Sequence, residues 1–411
     1  MACIDAEPTV TGAINRLTVK VAYQSRIITL LYRTMPKNGD KLSALGFGCM
    51  RLPMLDGEID EKRAIAQIRQ AIDNGVNYVD TAWPYHDGES EPLLGKALKD
   101  GYREKVKIAT KLPTWLVENR EDMDKFLDAQ LEKLGTDHID YYLIHALSGP
   151  SWKSVEDLGI KEFLDQAQKD GRIVNPGFSF HGLAEDFQPI VDAYSWVFCQ
   201  IQYNYLDQEF QAGTKGLKYA ASKDIGVIIM EPLRGGNLAL PEAPPAIAEL
   251  WAQAEVKRPP VEWALRWVWN HPEVTVVLSG MNSEEQISQN MAVASDASAN
   301  YLSPAELELI ERVSITYRKL MQVGCTGCGY CLPCPAGVQI PICFDFFNKL
   351  HMFGNLDEAK HLYKVFGSGD VLQREPGFAS QCVECGMCLE KCPQQINIPE
   401  VLKRVVAELE D

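Results

Sequence analysis

The sequence predicts an α/β protein in which eight strand–helix units close into a barrel, followed by a small helical domain rich in cysteine. The chain has 411 residues, 46% of them hydrophobic, which is enough for one large barrel and a second, smaller unit. Short apolar strands alternate with longer amphipathic segments eight times between residues 43 and 280. Nine of the twelve cysteines lie between residues 325 and 392.

The eight repeats occupy about 240 residues, which is the usual size of a (β/α)8 TIM barrel. Several of the amphipathic segments end in glycine, as helices often do, at Gly75, Gly135 and Gly171. An open, doubly wound sheet is the alternative, but it would need a G-x-G-x-x-G loop after its first strand, and GFGCMR does not provide one. The predicted strands are 42–48, 76–80, 106–111, 139–145, 173–179, 197–203, 226–232 and 274–280.

Two further elements flank the repeats. A hairpin is predicted over 32–44, with its turn at Asn38-Gly39. A helix is predicted from Ser303, which would cap it together with Glu306. The predicted domains are an N-terminal extension of uncertain structure at 1–31, the barrel at 32–300, a connecting helix at 301–324 and the cysteine-rich domain at 325–411.

The charge of the chain excludes several kinds of partner. With 40 basic and 56 acidic residues the formal net charge is −16, which disfavours binding to nucleic acid or to an anionic membrane. No apolar run approaches the roughly 20 residues that span a bilayer. The opening residues MACIDAEPTV lack the basic and apolar regions of a secretory signal. We therefore expect a cytoplasmic protein.

Four polar side chains follow barrel strands at their carboxyl ends, where barrels of this type carry their chemistry: Asp80, Tyr85, Lys111 and His145. Each alone has an ordinary structural explanation, as a helix cap, a loop aromatic, a solvated strand end or a core histidine. Together they suit carbonyl reduction by hydride. A phenol has a pKa near 10, a neighbouring ammonium favours the phenolate, and a carboxylate can anchor that ammonium. The imidazole would orient the substrate carbonyl.

The chain resembles the aldo-keto reductase family over residues 32–300. The resemblance implies a TIM barrel that binds NADP or NAD without a Rossmann fold and acts on a small carbonyl substrate. It also implies that Asp80, Tyr85, Lys111 and His145 form the catalytic tetrad, although a barrel that retains an idle tetrad is an alternative. The segments that carry the resemblance are GFGCMRLP, VDTAWPYHDGESE, IATKL, DYYLIH, GFSFHG, QIQYN, EPLRGG and SGMNSEEQISQN.

The same resemblance implies a set of cofactor-binding residues, in which Ser179 and Gln200 match the positions that hold the nicotinamide carboxamide. Phe180 stands where the family usually has an asparagine, which removes one expected hydrogen bond, and Met230 stands where it has a ring-stacking aromatic. The segment 279–290 would open a helix whose N–H groups favour phosphate, but it contains no Lys or Arg, so NAD and NADP both stay open. The implied residues are Ser179, Gln200, Met230, Gly280, Asn282, Gln286 and Asn290.

Two cysteine runs, CTGCGYCLPCP and CVECGMCLEKCP, predict a metal module. The second is C-x2-C-x2-C-x3-C-P, the bacterial ferredoxin pattern, and the first is one residue shorter in its last gap. Zinc bound to paired C-x2-C motifs is the competing interpretation. In two-cluster ferredoxins the cysteine before proline binds the other cluster. That analogy gives two [4Fe-4S] clusters, one on Cys325, Cys328, Cys331 and Cys392 and the other on Cys334, Cys382, Cys385 and Cys388.

The residues between the two runs look helical, as in helical two-cluster ferredoxin modules, and Cys49, Cys199 and Cys343 are expected to be buried thiols. As a whole, the chain resembles a subfamily of aldo-keto reductases with a C-terminal ferredoxin-like module. This predicts an NAD(P)H-dependent enzyme that reduces an aldehyde or ketone, or oxidises the alcohol. The clusters would carry electrons, with a possible protein partner, or provide redox control. The alternatives are an electron-transfer or redox-sensing protein with a nicotinamide-binding barrel, and clusters that are only structural.

Overall fold

The computed structural model describes residues 29–240, 242–325, 329, 331–369, 375–392 and 394–411. Nearly all of the predicted N-terminal extension at 1–31, together with Cys328, lies outside the described residues.

Eight parallel strands form a closed barrel, which confirms the predicted fold class and excludes the open sheet. Around the barrel the order is β10-β11-β12-β3-β6-β7-β8-β9, so the pairing of β12 with β3 joins the last unit to the first. Strands such as VTVVLS are buried along their whole length because helices cover the outside while side chains fill the inside. The strands are β1 (Tyr32–Thr34), β2 (Lys41–Ser43), β3 (Leu45–Gly48), β4 (Met54–Leu55), β5 (Glu58–Ile59), β6 (Tyr78–Asp80), β7 (Lys107–Leu112), β8 (Ile139–Leu147), β9 (Ile173–Phe180), β10 (Phe198–Gln202), β11 (Gly226–Met230) and β12 (Val274–Ser279).

The predicted N-terminal hairpin is confirmed and closes one end of the barrel. Strands β1 and β2 pair antiparallel, and Met35 in their connection is fully buried. Met35 and Leu42 belong to a compact hydrophobic cluster inside the barrel, together with Tyr78, Tyr141 and Phe198. This cluster fills the barrel near the amino ends of the strands. The end of the barrel formed by the carboxyl ends of the strands is therefore left open for a site.

The helices follow the predicted pattern. The helix from Ser303 begins with a capping box between Ser303 and Glu306, as expected, and the segment between the cysteine runs forms two helices. The helices are α1 (Glu61–Asp73), α2 (Ser90–Ala97), α3 (Arg120–Leu134), α4 (Gly149–Asp157), α5 (Ile160–Lys169), α6 (Ala184–Asp192), α7 (Gly213–Ser222), α8 (Pro245–Trp251), α9 (Pro260–Trp269), α10 (Glu284–Ala294), α11 (Pro304–Lys319), α12 (Ile340–Phe353), α13 (Leu356–Gly367) and α14 (Ile398–Val405).

The cysteine-rich part packs on the barrel through the end of α12. Phe353 belongs to the same hydrophobic cluster as the barrel core, and its ring lies 5.3 Å from that of Tyr317 on α11. The Arg234 guanidinium, from the loop after β11, lies 5.4 Å above the Phe353 ring. The side-chain amide of Asn348 accepts from the backbone N–H groups of Gln322 and Val323, which fixes α12 to the connecting segment.

Across the described part of the chain, no helix combines the length and the apolar character that crossing a membrane requires.

Gly177 on β9 tests how tightly the barrel interior is packed. A Cβ at this position would lie 2.3 Å from the buried Phe198 ring, so we expect Gly177→Ala to lower the free energy of unfolding by about 1–3 kcal/mol. Gly324→Ala is the control, since a Cβ there has no described neighbour within 4 Å. Urea unfolding of both variants is the measurement, and equal stabilities would show that the barrel can accommodate the methyl group.

Candidate active site

The four predicted catalytic side chains meet at the carboxyl end of the barrel. Asp80 ends β6, and Lys111 and His145 lie near the ends of β7 and β8. Tyr85 begins the short 3-10 segment Tyr85–Gly88, five residues after Asp80. All four line one cavity of about 570 Å³.

Strand register explains why three of them face the same space. Asp80 lies opposite Ala109 on β7, and Lys111 is two residues further along, so its side chain points to the same side of the sheet. Lys111 lies opposite Leu143 on β8, and His145 is again two residues further. Because neighbouring strands of the barrel are staggered, the three side chains lie next to one another around the mouth of the barrel, in the order Asp80, Lys111 and His145.

Lys111 and Asp80 form a buried ion pair. Lys111 Nζ lies 2.8 Å from each carboxylate oxygen of Asp80 and donates to the carbonyl of Thr81 at 2.6 Å, and only 1% of the lysine side chain is exposed. Burial lowers the pKa of Lys111, but the charge of Asp80 and the nearby Tyr85 outweigh burial and raise it. The lysine is therefore held as an ammonium.

Tyr85 lies against this ammonium. Its hydroxyl is 3.4 Å from Lys111 Nζ, which also lies 4.9 Å from the centre of its ring. The sequence argument expected the ammonium to favour the phenolate. That attraction is present, but burial acts in the opposite direction and is stronger, so the pKa of Tyr85 is raised. In this site the side chain is a protonated phenol and can act as a proton donor.

His145 is held as a neutral imidazole. Burial lowers its pKa well below the usual range, and the positive charge of Lys111 and the nearby His181 lower it further. Its ring lies 6.2 Å from the Tyr85 ring and 5.0 Å from that of Trp115. Its Nδ1 is buried with no hydrogen-bond partner among the described residues. A neutral ring with an unused nitrogen can hydrogen-bond a substrate oxygen.

The predicted carboxamide-binding residues line the same cavity. Ser179 and Gln200 are nearly fully buried, and Ser179 Oγ accepts from the backbone N–H of Ala146 at 2.8 Å. Gln200 Nε2 lies 3.7 Å from the sulfur of Met230, whereas Gln200 Oε1 is buried without a partner in the described structure. An unpaired buried acceptor costs free energy, so this position suits a ligand with an amide N–H.

The residues predicted to bind phosphate line another part of the cavity, between β12 and α10. Here the Asn290 amide donates to Ser279 Oγ at 2.9 Å, and the Asn282 N–H donates to Gln286 at 3.0 Å. Gly280 lets another loop pass close by, since a Cβ there would lie 3.1 Å from Arg51 Cβ. All four predicted residues line the cavity, namely Gly280, Asn282, Gln286 and Asn290.

Sequence reasoning missed Arg51 and His181. It found no cation in the segment 279–290, but the loop after β3 brings Arg51 to that segment. Phe180 does not face the cavity, because its ring packs 5.0 Å from Phe187 in the core outside the barrel, and the next residue, His181, lines the cavity instead. Both missed residues follow a barrel strand at its carboxyl end, which is the signal that could have found them.

The cysteine runs surround two further cavities. Cys331 lines both of them, and Cys328 lies outside the described residues. Cys49, Cys199 and Cys343 are buried elsewhere, as predicted. The first cavity is lined by Cys334, Cys382, Cys385 and Cys388, and the second by Cys325 and Cys392.

The spacing of these thiols bears on the kind of metal. Burial and the nearby sulfurs of Cys382, Cys334 and Cys385 raise the pKa of Cys388. Zinc–sulfur bonds of about 2.3 Å would require the sulfurs to converge on one point. In the part of the chain that the structure describes, no three metal-binding side chains converge on a single-ion site. Three evenly spaced cysteines followed by Cys-Pro, in both runs, are typical of an iron–sulfur cluster.

Comparison with known proteins agrees with both parts. The model of the Aldo/keto reductase family matches residues 44–314, and that of a 4Fe-4S dicluster domain matches residues 324–396. L-galactose dehydrogenase of Arabidopsis thaliana is 28% identical over 301 residues, covering 68% of this chain and 93% of that protein. NADH-specific methylglyoxal reductase of Escherichia coli is 26% identical over 312 residues, covering 64% and 94%.

Solved structures show the same fold. The holo form of aldo-keto reductase AKR11C1 from Bacillus halodurans superposes with a TM-score of 0.59 at 24% identity, covering 69% of this chain and 96% of that one. The family match spans more than half of the chain. The chain therefore belongs to the Aldo/keto reductase family, as an oxidoreductase whose barrel is followed by a 4Fe-4S dicluster domain.

Proposed function

We propose that the barrel catalyses NAD(P)H-dependent reduction of an aldehyde or ketone, and the reverse oxidation of the alcohol, with Tyr85 as the general acid and base. The observation that carries this proposal is the contact between the protonated Tyr85 hydroxyl and the Lys111 ammonium, which Asp80 holds in place. Neutral His145 and the unpaired Gln200 Oε1 line the same cavity.

Each member of the tetrad has a distinct task. A nicotinamide dinucleotide held in this cavity would supply a hydride to the carbonyl carbon or accept one from the alcohol. The Tyr85 hydroxyl gives its proton to the carbonyl oxygen as negative charge develops there, and Lys111 then stabilises the phenolate. Asp80 keeps the ammonium in position, and His145 hydrogen-bonds the carbonyl oxygen to orient it. In sum, a carbonyl compound, NAD(P)H and a proton give an alcohol and NAD(P)+.

The dinucleotide would extend from Gln200 to the start of α10. Ser179 and Gln200 would hold its carboxamide and Met230 would pack on the nicotinamide ring, while Arg51 would supply the cation that the segment 279–290 lacks. The relative from Escherichia coli is named as NADH-specific. Binding titrations of this chain with NADH and with NADPH would show which dinucleotide it prefers. The phosphate end would contact Gly280, Asn282, Gln286 and Asn290.

We further propose two [4Fe-4S] clusters, which would supply single-electron transfer or redox control. Cys334 of the first run lines the same cavity as three cysteines of the second run, and Cys392 of the second run lines the same cavity as two cysteines of the first. This arrangement supports clusters that each take ligands from both runs. Cys385 is exposed, and 69% of Val383 beside it is exposed, so a protein electron partner can approach here. Clusters held by reduced thiols suit the cytoplasm. The two proposed ligand sets are Cys325, Cys328, Cys331 and Cys392, and Cys334, Cys382, Cys385 and Cys388.

Removing the phenolic hydroxyl tests the role of Tyr85. We expect Tyr85→Phe to lower kcat/KM for NAD(P)H-dependent carbonyl reduction by about 10²–10⁴-fold, because no other group replaces the proton donor. Binding of the dinucleotide, measured by fluorescence titration, should persist. Tyr219→Phe, which loses a surface hydroxyl bonded to Asp192 and Lys223, is the matched control. Unchanged turnover in Tyr85→Phe would remove this residue from the mechanism.

The raised pKa of Tyr85 predicts the pH dependence of both directions. Reduction needs the phenol, which persists below its pKa, so we expect kcat/KM for reduction to stay level from pH 7 to about pH 9. Alcohol oxidation needs the phenolate, so its rate should rise over the same range. Steady-state kinetics in both directions is the measurement. A reduction rate that is lost with a midpoint near neutral pH would contradict a protonated Tyr85 as the donor.

Metal analysis tests the cysteine module. Protein purified without oxygen should contain iron and acid-labile sulfide, and Cys385→Ala should lose about half of both because one of two clusters loses a ligand. Cys343→Ala is the control, since this buried cysteine lines neither thiol cavity. Zinc without sulfide in the native protein would contradict the proposal.

A further inference from the structure

The cavity at the mouth of the barrel does not end at the barrel. Part of its wall comes from α12 and α13 of the cysteine-rich module, through Phe346, Lys349, Glu358, Leu362 and Phe366. These residues are more than 200 positions away from the tetrad along the chain and reach the same cavity only because the module packs on the barrel.

The cavity-lining residues of α13 follow helical periodicity. Glu358, Leu362 and Phe366 are spaced four residues apart, so they lie on one face of the helix. Glu358 is at the end nearest the proposed dinucleotide, since a Cβ on Gly235 would lie 3.4 Å from its carboxylate and 3.3 Å from the Arg51 guanidinium. From Glu358 to Phe366 the helix rises by about 12 Å. The face therefore changes from charged to apolar with distance from Gly235.

The apolar end of this face continues onto α12. The Phe346 and Phe366 rings are stacked, with their centres 5.6 Å apart. The one cation on this part of α12 that lines the cavity, Lys349, is already paired with Asp345 at 2.6 Å and lies 4.5 Å above the Phe346 ring. The apolar end of α13 and this part of α12 therefore offer aromatic and aliphatic surface, and the one cation among these lining residues is already paired.

The wall is held firmly in place. Phe353 at the end of α12 is packed into the barrel core, and Asn348 is hydrogen-bonded to the connecting segment at 2.8 Å and 3.0 Å. A preorganised surface can select a ligand without paying the entropy of ordering loops on binding.

We propose that α13 and α12 of the module form the substrate-binding wall of the barrel, and that they select carbonyl compounds with an extended, uncharged aromatic body. This inference rests on the proposed carbonyl reduction and names its substrate class. The carbonyl lies at Tyr85 and His145, and the body of the substrate lies against Leu362 and Phe366.

A pair of aldehydes that differ only in length tests the proposal. Benzaldehyde and 4-phenylbenzaldehyde share the reacting group, and only the longer one has a second ring for the wall. We expect Leu362→Ala and Phe366→Ala each to lower the ratio of kcat/KM for the long aldehyde over the short one by about 10-fold or more, as for the loss of a good apolar contact. The experiment uses full-length holoenzyme whose iron content matches that of the wild type.

Leu356→Ala is the matched control, because Leu356 lies on the same helix and is 44% exposed outside the cavity. It should leave the ratio unchanged. Wild-type ratios in both Leu362→Ala and Phe366→Ala would overturn the wall and leave carbonyl reduction intact. A preference of the wild type for 4-carboxybenzaldehyde over 4-phenylbenzaldehyde would overturn the uncharged class.

A photochemical measurement separates this proposal from the proposed activity. The aldehyde 4-benzoylbenzaldehyde carries a diaryl ketone that inserts into nearby C–H bonds on irradiation, whether or not the aldehyde is turned over. Cross-links to peptides from 356–369, competed by 4-phenylbenzaldehyde, would support the wall even if no aldehyde were reduced. Cross-links confined to barrel loops would overturn it.

Discussion

The buried ion pair between Lys111 and Asp80 is the constraint around which the site is built. Taking two charges out of water costs several kcal/mol each, and their mutual attraction repays this cost only when geometry is good and the remaining protons are bonded. Here the ammonium has both carboxylate oxygens and the Thr81 carbonyl within 2.8 Å. Such a pair contributes little net stability compared with apolar residues of the same size. It provides a fixed positive charge beside Tyr85.

Two opposing effects determine whether Tyr85 is protonated. Lys111 favours the phenolate and burial favours the phenol, and burial is the stronger of the two in this site. A phenol that keeps its proton at neutral pH is a poor base but a ready acid once negative charge develops on an adjacent oxygen, because the ammonium then stabilises the phenolate that is left. The sequence placed the ammonium correctly. The burial of Tyr85 decides whether its pKa is raised or lowered. That burial depends on packing between distant segments, which a sequence motif does not show.

The barrel and the tetrad could be predicted because both follow from regular elements. Strand ends meet at one edge of a parallel barrel, so Asp80, Lys111 and His145 converge whatever the loops do. Arg51 also follows the carboxyl end of a strand, but its contact with the segment 279–290 depends on the path of one loop. The path of the loop after β11 is also irregular, because the backbone is left-handed at Glu231 and at Arg234. The side chain of Arg234 packs on Phe353. The cavity wall on α13 depends on contacts between units far apart in the sequence.

Helix α12 joins the two chemistries of the chain. Ile340 and Phe344 near its start line a thiol cavity, whereas Phe346 and Lys349, within two turns after Phe344, line the cavity at the mouth of the barrel. One helix with its side chains is about 10–12 Å across, so a cluster bound by Cys325 and Cys392 would lie about that far from the substrate wall. A hydride carries two electrons, whereas a cluster exchanges electrons one at a time, so direct exchange between the two proposed sites would take two single-electron steps. The helix between them is anchored in the barrel core at Phe353, which holds the thiol cavity and the proposed substrate wall at a fixed separation.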